Sequence, residues 1–115
     1  MRFNSDFKFD LLIGEIKEKE LAEILSNKKI EVKNDLQANK TGNIFIEYKS
    51  RGKLSGISTT ESDFYCIAIQ NSFHLIRTDI LKQKCRKYIG SNRDILGGDC
   101  NTSRGILLPV TDLID

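Results

Sequence analysis

The sequence lacks the features that mark membrane, secreted and zinc-cluster proteins. Its longest apolar run is far shorter than the roughly 20 residues that a membrane-spanning helix needs. The N-terminus, Met-Arg-Phe-Asn-Ser-Asp, has no apolar core of a signal peptide. The cysteines, Cys66, Cys85 and Cys100, are odd in number, widely spaced and form no Cys-x-x-Cys pair. We therefore expect a cytoplasmic protein with no membrane segment, whose cysteines are reduced, mostly buried thiols and not a zinc site.

Proline and histidine are scarce, with one residue of each, and no internal repeat or low-complexity segment occurs. His74 falls within a predicted strand, where a structural role is favoured over that of a catalytic base. The length of 115 residues predicts a single domain, 1–115, with a real core and little room for a second lobe. A net charge of +2 is too small to indicate nucleic-acid binding by itself.

Hydrophobic periodicity predicts an α/β chain. Apolar residues recur at helical spacing from about Asp10 to Ser26, which favours a first helix that ends at Asn27. The other expected elements are strands at about 30–35, 43–49, 64–69, 73–77 and 105–110, a short helical turn at the capping-box pattern 58–61, and a second helix from Thr78 or Asp79 to about Lys87. The order of helix, strands, helix and strand is typical of a small α/β domain with a mixed sheet.

The segment 31–49 predicts a hairpin that sets two acids face to face. Lys40-Thr41-Gly42 suits a three-residue hairpin loop with glycine in the left-handed position. Centred on Thr41, this hairpin would pair Asp35 with Glu47. Like charges in directly opposed positions destabilise a sheet, so a positive group is expected between them. A divalent metal ion suits this place because hard cations prefer carboxylate oxygens.

Lys49 is predicted to join the two acids, because side chains alternate along a strand and Lys49 follows Glu47 by two residues. Two carboxylates and an ammonium suit metal-assisted cleavage of a phosphodiester. The alternative is a solvated hairpin face held by salt bridges. Against that alternative, Glu47 directly follows the core-like run 44–46 and shares its face with Phe45.

Glu18 is a charged residue on the apolar side of the predicted first helix, beside Leu21 and Leu25. A charge in that position is costly unless it is paired or binds a metal. The alternative is an exposed helix edge on which Glu18 pairs with a lysine. Glu15, at the margin of the same stripe, is the second candidate for the acid that this helix would supply.

A run of cations follows the predicted second strand. Arg51 and Lys53 are expected to bind phosphates, which gives affinity without sequence information. Lys40, in the predicted hairpin loop, is placed with them as a DNA-binding residue. A solvated loop is the alternative for these cations. Gly97-Gly98-Asp99 is read as a turn, with a substrate contact as its alternative.

Several of these residues carry a resemblance to a known superfamily. Asp35, followed after eleven residues by Glu47-Tyr48-Lys49, resembles the D…E-x-K core of the PD-(D/E)XK nucleases. The first helix, with Gly14 four residues before Glu18, is similar to the helix that carries an extra glutamate in archaeal Holliday-junction resolvases. The segments 41–48, 50–53, 55–60 and 97–101 resemble a group of small phage-encoded nucleases. Asn34 stands where a proline often precedes the acid.

The resemblance implies a restriction-endonuclease-like αβββαβ core, with a mixed central sheet flanked by helices. It implies that Asp35, Glu47 and the backbone carbonyl of Tyr48 hold Mg²⁺ or Mn²⁺, with Glu18 close by or acting through water. Lys49 would orient the attacking water or stabilise the charge on the phosphate. Lys53 is the other candidate for that role, because the E-x-K lysine can be replaced in related phage sequences.

The expected function is that of a metal-dependent DNA endonuclease in DNA processing or repair. Branched, flapped or junction DNA is the expected substrate, and the host cytoplasm the expected compartment if the chain is phage-encoded. A junction resolvase needs two active sites, so a homodimer or higher homo-oligomer is expected as well. Two alternatives remain open at this point: a catalytically inactive nucleic-acid-binding module on the same fold, and a protein-binding inhibitor.

Overall fold

The structure is a computed structural model that describes residues 17–35, 38–69 and 72–113. Residues 17–25 are helical and form the described part of helix α1. The predicted helix start at Asp10, together with Gly14 and Glu15, lies outside the described residues. The predicted end is confirmed, because Asn27 has a positive φ of 59° and stops the helix.

Seven strands and two more helices follow α1 in the described part of the chain. They are β1 (Ile30–Asn34), the single-turn helix α2 (Ala38–Thr41), β2 (Asn43–Ser50), β3 (Lys53–Leu54), β4 (Phe64–Ile69), β5 (Ser72–Arg77), α3 (Thr78–Arg86), β6 (Asp94–Gly97) and β7 (Ser103–Pro109). Short 3₁₀ turns occupy Gly56–Ser58, Asp99–Asn101 and Val110–Leu113. None of the helices in these ranges has the length and apolar character needed to cross a membrane.

The strands form two sheets, and the predicted α/β class is confirmed. One sheet is mixed, with the order β1-β4-β5, and the other is antiparallel, with the order β3-β2-β7-β6. The chain order is α1, β1, α2, β2, β3, β4, β5, α3, β6 and β7, which matches the implied αβββαβ order only when α2, β3, β5 and β6 are set aside. The strands are divided between two sheets, whereas the resemblance implied one central sheet.

The predicted hairpin between residues 31 and 49 is wrong. Strand β1 runs parallel to β4, and β2 pairs with β7, so that Glu47 lies opposite Gly105 and not opposite Asp35. The cause lies in the connection, where residues 38–41 form a helical turn whose Ala38 is buried in the core. The turn separates the two strands into different sheets. Gly42 does adopt the predicted left-handed conformation, with φ +71°.

One hydrophobic cluster joins both sheets and α3. Alternate residues of β2, β4 and β7 point into it, as the period of two requires. Its members are Ala38, Ile44, Ile46, Ile57, Tyr65, Ile67, Leu81, Cys85, Ile106 and Leu108, all nearly inaccessible to solvent. The core therefore fixes β2 relative to β4 even though the two strands share no hydrogen-bonded ladder.

Two local predictions near the end of β2, a polar loop at 50–56 and a capping box at 58–61, are corrected. Ser50 pairs with Lys53, so Arg51 and Gly52 form a two-residue hairpin turn, with φ values of +51° and +79°. Both central residues having positive φ is the mark of a type I′ turn. The predicted capping box at 58–61 is also wrong, because the 3₁₀ turn comes earlier and Ser58 instead donates its hydroxyl to the Tyr48 carbonyl at 2.9 Å.

The three cysteines are free in the structure, but they differ in burial. Cys85 is buried on α3, Cys66 is half-buried and Cys100 is exposed. The expectation of mostly buried thiols is therefore wrong for Cys100. Burial raises the pKa of the Cys85 thiol to about 12, so this side chain acts as a small apolar core residue.

Candidate active site

Asp35 connects the end of β1 to the middle of β2. Its Oδ2 atom accepts a hydrogen bond from the backbone N–H of Phe45 at 3.1 Å. Glu47 follows Phe45 by two residues on β2, so their Cα atoms are about 7 Å apart at the usual rise per residue. Asp35 thus contacts the strand that carries Glu47, although the two acids are not cross-strand partners.

Glu47 is half-buried and held by a neighbouring hydroxyl. Ser55 Oγ donates a hydrogen bond to Glu47 Oε2 at 2.8 Å. On β7, the residue opposite Glu47 is Gly105, and a Cβ placed there would lie 2.7 Å from the ring of Phe45. The absence of a side chain at Gly105 therefore lets the Phe45 ring lie over β7 beside the carboxylate.

The loop after β3 packs against the backbone of β2 and forms hydrogen bonds with it. Gly56 has φ +52°, and a Cβ at this position would lie 2.2 Å from the carbonyl oxygen of Glu47. The Tyr48 carbonyl accepts two hydrogen bonds, from the Ser55 N–H at 3.1 Å and from Ser58 Oγ at 2.9 Å. A carbonyl oxygen has two lone pairs. The Tyr48 carbonyl is therefore engaged by protein donors and does not offer the metal contact that the resemblance implied.

A small cleft of about 210 Å³ opens beside Glu47. Thr60 donates its hydroxyl to Glu31 Oε1 at 3.0 Å at this cleft, and burial together with the charge of Glu31 raises the pKa of Tyr65 to about 12. The cleft is lined by Glu31, Lys33, Ile46, Glu47, Gly56, Ile57 and Tyr65. Two carboxylates and one ammonium thus share a cleft whose other walls are mostly apolar.

Lys49 does not take part in this cleft. A bulge between Glu47 and Lys49 shifts the register of β2 against β7, so that Lys49 faces Arg104. Bulges interrupt the alternation of side chains along a strand. Lys49 is exposed to solvent and is absent from the lining residues. The predicted cluster of Asp35, Glu47 and Lys49 on one hairpin face is therefore not formed.

Glu18 is exposed on α1, whose predicted apolar stripe is largely solvent-accessible, with Leu21 at 49% exposure. Within the described ranges, no three or more His, Cys, Asp or Glu residues come together as a possible metal cage. The structure therefore does not assemble Glu18, Asp35 and Glu47 into one group. On the same helix, Lys17 and Glu20 form an exposed ion pair at 3.4 Å, so the helix edge is exposed as the alternative anticipated, but this ion pair does not include Glu18.

The predicted DNA-binding cations lie on the surface. Arg51 is in the β2–β3 turn, Lys53 starts β3, and both side chains are exposed. Lys40 is exposed on α2. The turn begins only four residues after Glu47, so cations that can reach a phosphate backbone are close in sequence to the cleft.

A second polar network, which was not predicted, holds the other side of β2. Asp94 accepts hydrogen bonds from Tyr48 Oη at 2.7 Å, from Arg104 Nε at 3.1 Å and from the Gly90 N–H at 2.9 Å. Its side chain is only 5% exposed. Burial would raise the pKa of Asp94, but the Gly90, Tyr48 and Arg104 donors outweigh burial and lower it. No pattern in the sequence marks this network, because its members come from three separate segments.

The Gly97-Gly98-Asp99 segment agrees with its interpretation as a turn. Gly98 has φ +71°, and a Cβ at Gly97 would lie 3.0 Å from the Phe45 ring. The glycines thus let β6 end closely against β2. Backbone conformation and close packing account for both glycines, and the alternative of a substrate contact stays a prediction.

Glu31 and Lys33 are the cleft residues that sequence reasoning missed. A signal for them exists, since Glu31, Lys33 and Asp35 alternate along β1 and so share one face. The predicted hairpin placed Lys49 with the two acids and gave Lys33 no role. Correct pairing of β1 with β4 would have set Lys33 beside Ile67, at the edge of the core.

Known proteins give no independent guide to this site. Comparison with protein-family models, with curated proteins and with solved structures finds no match to the chain. The resemblance to the PD-(D/E)XK nucleases therefore depends on the sequence motifs quoted above.

Proposed function

We propose that this chain is a metal-dependent DNA endonuclease whose active site is the cleft beside Glu47. The observation that carries the proposal is the hydrogen bond from the Phe45 N–H to Asp35 Oδ2 at 3.1 Å. It brings the acid that ends β1 to the strand that carries Glu47, although the two strands belong to different sheets.

The donor set fits a hydrated magnesium or manganese ion. Mg²⁺ usually keeps several waters and is held by one or two carboxylates and by substrate phosphates, so a cage of three acids is not required. Glu47 and Glu31 line the cleft, and Asp35, which contacts β2 at Phe45 outside the cleft lining, would be a further carboxylate for the ion. Such an ion, when bound, polarises the scissile phosphate and lowers the pKa of a bound water.

The chain itself orients these carboxylates. The Ser55 hydroxyl fixes one oxygen of Glu47, and the Phe45 N–H fixes one oxygen of Asp35. Fixed donors lower the reorganisation that accompanies the reaction. Arg51, Lys53 and Lys40 would bind the phosphates of a DNA strand that approaches from the surface. Branched, flapped or junction DNA is the proposed substrate. A homodimer would have two active sites and could cut two strands of it. The proposed compartment is the cytoplasm.

Glu18 remains a prediction that Glu18→Gln tests, with Glu15→Gln as its comparison. If α1 supplies an acid to the site, Glu18→Gln should slow cleavage by about 10²-fold. An unchanged rate would agree with the exposed position of Glu18.

A second function, a catalytically inactive nucleic-acid-binding module, is favoured by one observation. The Tyr48 carbonyl already accepts two protein donors, so one of the implied metal contacts is missing. This alternative predicts DNA binding through Arg51 and Lys53, with no cleavage in any metal.

The deciding experiment incubates the protein with labelled four-way, flap and linear DNAs, with Mg²⁺, with Mn²⁺ and with chelator. Cleavage should require metal and should disappear in Asp35→Ala and Glu47→Ala, both of which should still bind DNA. Glu61→Ala is the control, because Glu61 forms only a highly exposed ion pair with Lys29. Binding without cleavage would favour the inactive module, and the absence of both would reject the two DNA-based functions.

A further inference from the structure

We infer that Lys33, and not Lys49 or Lys53, supplies the ammonium group of the active site. This inference rests on the proposed nuclease function. Lys33 lines the same cleft as Glu47 and Glu31, whereas Lys49 and Lys53 do not. No motif in the sequence assigns a role to Lys33.

The position of Lys33 in the sheet explains how its ammonium reaches the cleft. Lys33 pairs with Ile67, which is fully buried, so its side chain leaves β1 on the core-facing side of the sheet. A lysine can lay its four-carbon stem along apolar surface while its charged end stays in a polar opening. Lys33 is half-buried, which agrees with this arrangement, while Lys49 is exposed.

Among the described residues, Lys33 forms no ion pair. The salt bridges in this part of the chain join other lysines and arginines to acids, and none of its carboxylate oxygens lies within 4 Å of the Lys33 nitrogen. Lys33 thus shares the cleft with two carboxylates without forming an ion pair with either. A phosphate that enters the cleft can therefore contact the Lys33 ammonium without first breaking an ion pair.

The role follows from the charge that develops during hydrolysis. A water oxygen forms a bond to phosphorus, the bond from phosphorus to one ester oxygen breaks, and the leaving oxygen ends as a hydroxyl. The proton that the water loses passes to solvent, and the leaving oxygen takes its proton from solvent. Lys33 keeps its own proton throughout and stabilises the negative charge that builds on the phosphate oxygens.

The test compares Lys33→Met with Lys49→Met, since methionine keeps an unbranched stem and removes the charge. Single-turnover cleavage should slow by about 10²-fold in Lys33→Met and change little in Lys49→Met. DNA affinity in chelator should stay within about twofold for Lys33→Met, because the loss concerns the transition state and not ground-state binding. Lys33→Arg should recover part of the rate.

A second readout does not depend on activity. Titration of Mn²⁺ without DNA, followed by electron paramagnetic resonance, should show about threefold tighter binding in Lys33→Met, because a positive charge near the ion has been removed. Lys49→Met should bind Mn²⁺ like the wild type. Glu47→Gln should bind it more weakly than either, which shows that the titration reports this site.

The outcomes separate this inference from the proposed function. If the wild type cleaves DNA and Lys33→Met cleaves equally well, Lys33 is not the active-site ammonium, although the chain is a nuclease. If the wild type cleaves no DNA with either metal, both proposals fail. Lys33→Gln is the second variant if Lys33→Met does not fold, and a folded Lys33→Gln with the wild-type rate overturns the assignment equally.

Discussion

At the scale of single residues, Asp94 shows how a buried charge is kept ionised. The carboxylate is almost inaccessible, and three donors, from Tyr48, Arg104 and Gly90, surround it. A buried charge without such partners would be costly. The Tyr48 hydroxyl makes Asp94 part of the support of β2, so the network holds the strand of Glu47 from the side opposite the Ser55 loop.

We expect Asp94→Asn to destabilise the protein at neutral pH and to do so much less in acid. The pKa of Asp94 is lowered in the folded protein. Its charge therefore stabilises the fold fully above its unfolded pKa of about 3.9, and the contribution is lost as pH falls through the lower folded value. Urea unfolding of both proteins at pH 7 and near pH 3 measures the difference. An equal difference at the two pH values would contradict this account.

At the scale of elements, the loop 55–58 and the hairpin turn 51–52 differ in whether they can accommodate a side chain in place of their glycine. Gly56 and Gly52 both have positive φ, but only Gly56 lies against the backbone of β2. A side chain at Gly56 must displace either the loop or the strand, because a backbone oxygen cannot rotate away. The loop is thus coupled directly to the position of Glu47.

Gly56→Ala should lower stability considerably more than Gly52→Ala. A positive φ costs an alanine about 1–2 kcal/mol at either position, and the clash with the Glu47 carbonyl should add about 1–3 kcal/mol at position 56. Nothing lies within 4 Å of a Cβ at Gly52. Denaturant unfolding measures both variants. Equal losses of unfolding free energy in the two variants would show that the loop moves to accommodate the new side chain without strain. Gly56 would then not determine where Glu47 lies.

The hairpin cations give a prediction of a different kind. Replacing Arg51 and Lys53 by Ala should weaken binding to all DNA sequences alike, since exposed cations contact phosphates and not bases. The slope of log K against log salt should fall by about 2, or nearly one for each lost phosphate contact. Lys17→Ala with Lys19→Ala, on the exposed helix α1, is the control of equal charge. An unchanged slope in the hairpin variant would exclude a phosphate role for this turn.

At the scale of the whole molecule, the mixed sheet has two unlike faces. One face carries Tyr65 and Ile67 into the core, while the other carries Val32 and Phe73, which are 66% and 75% exposed. The two faces give a matched comparison of burial, because Ile67 and Phe73 lie on neighbouring strands of one sheet.

Ile67→Ala should cost about 2–5 kcal/mol of unfolding free energy, since it leaves a cavity in a packed core. Phe73→Ala should change it by no more than about 0.5 kcal/mol, as is usual for exposed sites. Thermal and denaturant unfolding at several protein concentrations test both expectations. A large loss in Phe73→Ala would show that the outer face is covered in solution.

Local structure was more predictable from this sequence than pairing was. The strand bounds at 64–69 agree with β4, because a dense apolar run between polar turns gives a strong local signal. The pairing of β1 failed because it depends on the buried Ala38 turn and on contacts with β4, which are distant in sequence. For the same reason Lys33 was missed, whereas the core-like run before Glu47 correctly indicated that its side chain is not simply solvated, since Glu47 is half-buried.

The partner strand of β2 is also late in the chain, since residue 43 pairs with residue 109. During translation, β2 therefore leaves the ribosome well before the strand that completes its sheet. At ordinary elongation rates of about 5–20 residues per second, the delay between residues 47 and 109 is about 3–12 seconds. Nascent chains that stop before β7 would carry every proposed catalytic side chain, but β2, which carries Glu47, would lack its long partner strand. The proposed nuclease activity would then require synthesis to have passed β7.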